Sequence, residues 1–250
     1  MDKGIDLWNK ILAKAMQTPG VKVNRNEFLR KSFNSHYTEE QISQFLEQGT
    51  VGNVPINILD ELAGDCIAHH TRISTATSFV CGIPGGFAML GTIPSDLIQY
   101  YFHVFVLSQK LAYLYGYPNL CDEDGNFVEG ATDILTVFVG LMGGVTAANI
   151  VVQEIAEQVQ KTLLKRMPRY ALTRTFLYPL VKQVAKWIGI NLTKQSFARG
   201  VSKVVPLIGG LVSAILTYIT FRPQARKMKQ QLRDQMLNAY KNRDADTKTH

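Results

Sequence analysis

From residue 158 to residue 233 the chain contains no aspartate or glutamate, although 15 lysines and arginines fall in that stretch. This excludes the usual mixed-sign solvated surface there and marks a strongly cationic segment. Cysteine is scarce as well: Cys66, Cys81 and Cys121 are three in 250 residues, with no CxxC or Cys/His spacing. An odd, sparse set excludes a disulfide scaffold and a zinc module, and Cys66 and Cys81, set among apolar residues, read as small hydrophobes. The opening MDKGIDLWNK is charged and amphipathic and lacks the apolar region of a secretory leader, so a reducing cytoplasmic setting is expected. Strict apolar–polar alternation between hairpin turns is missing too, which excludes an antiparallel β-protein.

Several chemical templates are also lacking. Gly82-Ile83-Pro84-Gly85-Gly86 has no Gly-Lys-Ser/Thr ending and cannot be a Walker loop, and there is no GxSxG elbow. The acidic run Asp122-Glu123-Asp124-Gly125-Asn126 resembles a calcium loop only superficially. Phe127 stands where the turn glycine belongs and no bidentate glutamate follows, so the run reads as a surface loop.

What is present is core-forming material. Hydrophobic residues make up 46% and charged residues 19% of a 28.0 kDa chain, which excludes intrinsic disorder and allows one large core. The formal net charge of +7 is a composite. Residues 1–157 hold 9 cations and 17 acids, and the last 17 residues hold three of each.

The periodicity is helical nearly throughout, and the expected fold class is all-α. Ile5, Trp8, Ile11, Leu12, Ala15 and Met16 form an i, i+3, i+4 stripe stopped at Thr18-Pro19-Gly20. Thr38 and Gln41 predict a capping box opening a short helix, with Ile42, Phe45 and Leu46 inward and Gly49 at its end. A longer helix is expected from Pro55, and an aromatic helix from Pro94-Ser95-Asp96 to a stop at Gly116-Tyr117-Pro118. The domain reading is an N-terminal helical extension, 1–50, followed by one helical domain, 51–250, with a basic amphipathic C-terminal helix.

Three stretches carry no charge: 23 residues between Arg72 and Asp96, 20 between Asp133 and Glu154, and 18 between Lys203 and Arg222. The first is broken by Pro84, Pro94 and four glycines and suits a buried hairpin bent at Ile83-Pro84-Gly85-Gly86. The other two are long enough to raise the question of a membrane, since about 20 apolar residues span a bilayer. Burial in a core and insertion of 134–153 and 204–221 both stay open, and a mean hydropathy of −0.01 favours the core. Small residues recur every fourth position: Ser74, Ser78, Gly82 and Gly86; Gly140, Gly144 and Ala148; Gly209, Ser213 and Thr217. Such stripes let two helix backbones approach closely.

One polar constellation could carry chemistry. Asp65 and His69 share a helix face at a spacing of four, and Asp96 and His103 share another at a spacing of seven. Asp60, His70 and Gln99 lie on the same two segments. If those helices pack antiparallel, two carboxylates and two imidazoles converge, which suits a divalent metal or an acid–base pair in a metal-assisted hydrolase. The plainer alternative is a solvated Asp65–His69 pair, a first-turn carboxylate at Asp96 and a satisfied core His103.

The basic half is the stronger signal. Lys161, Lys165, Arg166 and Arg169 are followed by Lys182 and Lys186, and then by Arg222, Arg226, Lys227, Lys229 and Arg233, with apolar and aromatic residues interleaved. Cations that frame apolar runs suit anionic lipid headgroups better than nucleic acid, which favours a separate polar face. The plain alternative pairs these cations with the acidic first half inside one fold.

Two segments carry a family likeness. Gly82-Ile83-Pro84-Gly85-Gly86, then Ile93-Pro94-Ser95-Asp96-Leu97 and the helix ending Leu111-Ala112-Tyr113-Leu114-Tyr115-Gly116-Tyr117, resemble the EcsC family. So does Lys203-Val204-Val205-Pro206-Leu207-Ile208-Gly209-Gly210 before the last helix, and the likeness covers roughly residues 55–235. It implies a bacterial protein in an accessory role at the inner face of the cell membrane, in some members beside an ABC transporter. It carries over no established catalytic residue, and only Asp96 matches the family's Pro-x-Asp position. The expected function is peripheral binding to anionic membrane or to a membrane complex, without a cofactor, and with membrane insertion as a further alternative.

Overall fold

The computed structural model describes residues 3–82, 95–162, 179–189 and 206–248. Among them the fold is all-α: α1 (Lys3–Met16), α2 (Arg25–Phe33), α3 (Glu39–Gln48), α4 (Ile56–Gly82), α5 (Ser95–Leu114), α6 (Ala131–Gly143), α7 (Thr146–Thr162), α8 (179–189) and α9 (Pro206–Lys248). The Ile83–Gly86 bend, residues 203–205 and the cations Lys165, Arg166 and Arg169 lie outside the described residues, as does the Cys81 side chain.

Local sequence sets the helix ends. The Asn24 side chain accepts from Glu27 N at 3.0 Å to cap α2. Thr38 and Gln41 form the expected reciprocal capping box on α3, satisfying two orphan N–H groups. α5 closes on Gly116, whose φ of +83° lets Tyr117 N donate to Ala112 O at 2.9 Å and Gly116 N to Tyr113 O at 3.2 Å. This left-handed stop satisfies the last carbonyls of the helix.

α5 is the axis of the core. Every side chain from His103 to Gln109 and from Leu111 to Tyr115 is buried, as a helix apolar on all sides requires. α1, α2, α4, α6 and α9 surround it. Residues of α1, α2 and α3 pack on this same core. Trp8 of α1 packs edge-on against Tyr101 and Phe105, with centroids at 5.3 and 6.2 Å, and donates Nε1–H to Thr136 Oγ1 of α6 at 3.3 Å. Gln109, fully buried, ties in the following turn: its Nε2 donates to Val21 O at 2.8 Å and its Oε1 accepts from Val23 N at 3.2 Å.

The 20-residue uncharged stretch after Asp133 is two helices, not one. Gly144, at φ +73°, ends α6, and α7 turns back against it from Thr146. Thirteen residues rise about 20 Å, short of a bilayer core of about 30 Å. Gly140 and Ala148 meet in this hairpin so closely that a methyl on Gly140 would stand 2.9 Å from the Ala148 Cβ. The small-residue stripe serves close packing in the protein interior.

α4 and α9 form the longest contact and run antiparallel. Asp60 meets Lys229 and Arg233 near one end, while Thr217 Oγ1 donates to Ser78 Oγ at 2.8 Å toward the other. Ser74, Ser78, Ser213 and Thr217, all buried, occupy the seam. Among the described residues no helix is long and apolar enough to cross a membrane.

Candidate functional site

α4 and α5 also pack antiparallel, and the polar residues they share are a histidine pair. His70 and His103 are buried and their Nδ1 atoms stand 3.4 Å apart. On the far side of the first ring, Lys110 Nζ lies 3.1 Å from His70 Nε2. A charged Lys110 can only donate, so His70 Nε2 accepts, His70 Nδ1 carries the proton and donates to His103 Nδ1. Both rings are then neutral, and burial enforces it. Desolvation, aided by Lys110, pushes His70 down to about 2; desolvation, with His69 and Lys110, pushes His103 to about 4. Burial lowers Lys110 as well and raises the nearby Cys66 thiol to about 11. The Phe28 ring lies 5.7 Å from Lys110 Nζ, covering the ammonium from α2.

This is not the grouping that the i, i+4 spacing suggests. Asp65 and His69 face outward on α4, and His103 turns to His70 instead. His70 belongs to the buried stripe Ala63, Ile67, His70, Ser74, and that periodicity was the available signal. The Asp96 side chain lies outside the described residues. Among the described residues no three His, Cys, Asp or Glu side chains are grouped as metal ligands.

A second polar centre joins the acidic and basic halves. Asp60 Oδ1 accepts from Tyr115 Oη at 2.7 Å and pairs with Lys229 Nζ at 3.2 Å, and its Oδ2 accepts from Arg233 Nε at 3.0 Å. Lys229 also donates to the Asp60 carbonyl at 3.1 Å, and Arg233 reaches Asp234 at 3.0 Å. Burial alone would raise the Asp60 carboxyl; the Tyr115 hydroxyl, Lys229 and Arg233 outweigh it and hold the group below its usual value. Lys229 and Arg233 thus serve internal pairing, the plain alternative that the charge split allows. Lys227 is placed differently, with its ammonium against Gly144 at the carbonyl end of α6, where a cation complements the helix dipole.

The remaining cations that the structure describes face outward. Lys161 ends α7 on the surface, Lys182 and Lys186 lie on one exposed face of α8, and Arg226 is exposed on α9. Half-buried Arg222 donates through Nη1 to Tyr218 Oη at 3.0 Å. Just before these arginines, α9 carries large apolar side chains in the open: Leu211, Ile215, Tyr218 and Ile219 are 53%, 50%, 45% and 56% exposed. At 100° per residue they share one face of roughly a hundred degrees with Arg222 and Arg226. Ile73 and Val80 of α4 are exposed at the same end of the α4–α9 pair.

A shallow polar cleft of about 440 Å³ lies between α7 and α9, lined by Gln153, Glu157, Gln235, Asn238, Lys241 and Asn242. No family model, curated protein or solved structure matches this chain.

Proposed function

We propose that the protein is a peripheral membrane protein that docks on anionic lipid through its basic surface, in an accessory rather than a catalytic role. The observation that carries the reading is the division of labour among the cations. Lys229 and Arg233 are paired with Asp60, whereas Lys182, Lys186 and Arg226 point outward from a stretch of sequence that holds no acid. A surface of one sign is attracted to anionic headgroups by about 1 kcal/mol per nearby Lys or Arg, an attraction that salt screens. The likeness to EcsC signatures supports the same inner-membrane setting and leaves room for a membrane complex as an additional partner. Of those signatures, Ser95-Asp96-Leu97 opens α5 and Pro206–Gly210 opens α9, while 83–94 and 203–205 lie outside the described residues.

The test is co-sedimentation with vesicles of phosphatidylglycerol in phosphatidylcholine at increasing salt. Binding at low salt that weakens progressively with ionic strength, and weaker binding to pure phosphatidylcholine, is the expected result. Equal binding to neutral vesicles, or none to anionic ones at low salt, overturns the reading.

A further inference from the structure

The basic surface accounts for attraction but not for the apolar residues beside it. We infer that the front half of α9 is the lipid-inserting element: Leu211, Ile215, Tyr218 and Ile219 enter the headgroup–acyl boundary of an anionic phospholipid bilayer, with Arg222 and Arg226 at the phosphates. The inference rests on the peripheral reading above and assigns it a contact surface.

Three observations support it together. The apolar residues are a stripe rather than scattered: their positions keep to one helix face over 211–219, and each is about half exposed. The stripe continues on the same face into arginine, and no acid occurs anywhere from Pro206 to Arg233. An apolar band continued on its own helix face by two arginines complements an anionic lipid surface, hydrocarbon against chains and guanidinium against phosphate. A protein partner of mixed sign would be matched by acids as well as arginines along that helix face. Finally, α9 is anchored behind the stripe. Thr217 is fixed to Ser78 and the later turns are held at Asp60, so the helix presents this face without leaving the fold. With no described helix able to span a bilayer, the depth is interfacial, about 5–10 Å.

Tyr218 and Arg222 form the hinge between the two levels. The 3.0 Å bond from Arg222 Nη1 to Tyr218 Oη places a phenol ring with its polar tip beside a guanidinium, the arrangement an amphipathic aromatic takes at a membrane interface. Ile73 and Val80 of α4 stand at the same end of the molecule and add apolar area there.

The experiment uses the full chain and two substitutions on the exposed face, I215S and I219S, checked for native helicity and melting temperature. Wild type should retain a salt-resistant fraction on phosphatidylglycerol vesicles. The double variant should partition tenfold to a hundredfold more weakly and lose that fraction, since two half-buried Ile side chains no longer contribute. Separately, Y218W should add tryptophan emission that bromine on the upper acyl carbons quenches. Salt-sensitive binding by both proteins with no difference between them, or no quenching of the added emission, overturns the insertion while leaving peripheral binding intact. No binding by wild type overturns both. A dimer in sedimentation velocity that I215S and I219S dissolve, without acyl-chain quenching, assigns the stripe to a second copy of the chain and overturns the lipid assignment.

Discussion

The Nδ1 atoms of His70 and His103 face one another 3.4 Å apart across the α4–α5 seam, with Lys110 bonded to the outer nitrogen of the first ring. Only neutral imidazoles fit this chain of donors and acceptors beside a half-buried ammonium. Both rings have folded values below the 6.5 of an unperturbed histidine, so the unfolded chain binds protons that the native protein refuses. Their stabilisation is complete above pH 6.5 and is lost as the pH falls through 6.5 toward 4, where His103 titrates. Each ring contributes a slope of up to about 1.4 kcal/mol per pH unit within its window. Melting temperature measured from pH 7.5 to 4.5 should therefore fall, and the double variant H70Q/H103Q should flatten the profile. Parallel profiles for the two proteins would contradict this.

Asp60 is the joint between the two charge halves, and its removal should be felt at three partners. D60A leaves Tyr115 Oη without its acceptor and Lys229 and Arg233 without their counter-charge. The site is partly exposed, which limits the cost to about 1–2 kcal/mol. Urea denaturation should report that loss, with Y115F losing only the share due to one hydrogen bond. The folded carboxyl sits below its ordinary value, so its contribution is present above pH 3.8 and disappears as the pH drops through the folded value. A D60A variant with unchanged midpoint would show the joint to be energetically idle.

Two glycine substitutions should act with opposite sign. Gly64 lies on an exposed face of α4 with nothing within 4 Å of an added methyl, so G64A gains helix propensity and stabilises by about 0.5–1 kcal/mol. Gly140 is buried in α6, where the same methyl meets Ala148 Cβ at 2.9 Å and Val184 Cγ2 at 3.3 Å. There, overpacking of about 1–3 kcal/mol outweighs the propensity gain. Thermal melts of the two variants, moving apart from wild type, would verify both environments.

Gln109 acts as a piece of backbone inside the core, giving the Val21–Val23 turn the donor and acceptor that it cannot find in water. Q109L removes both and should cost about 1–3 kcal/mol for each group left unpaired. Hydrogen exchange at the Val23 amide should accelerate well before global unfolding. If the amide stays as protected as in wild type, the turn is held by something else.

Much of the fold was legible because helix ends and close packing have short-range signatures. Thr38 with Gln41, the Gly116 stop and the Gly140–Ala148 spacing each led to the feature found. The polar centres were harder to read. The Asp65–His69 pair drew attention through its spacing, but the helix phase set by Ala63 and Ile67 turns the neighbouring His70 inward instead. Lys110 and Gln109 carried no motif, since their roles depend on partners 40 and 88 positions away. Trp8 likewise carried no signal of its distant partner, Thr136 on α6.

The course of α9 also has an electrical consequence. The helix carries five cations and no acid from Pro206 to Arg233, then three of each sign to Lys248. The cations fall at 222–233, in the middle of a helix of 43 residues and about 65 Å; its first 16 residues carry none, and only the peptide dipoles add positive potential at that end. On the docking proposed above, an anionic surface would first feel this cationic middle of the helix, from about a Debye length away, and the uncharged front turns only on contact.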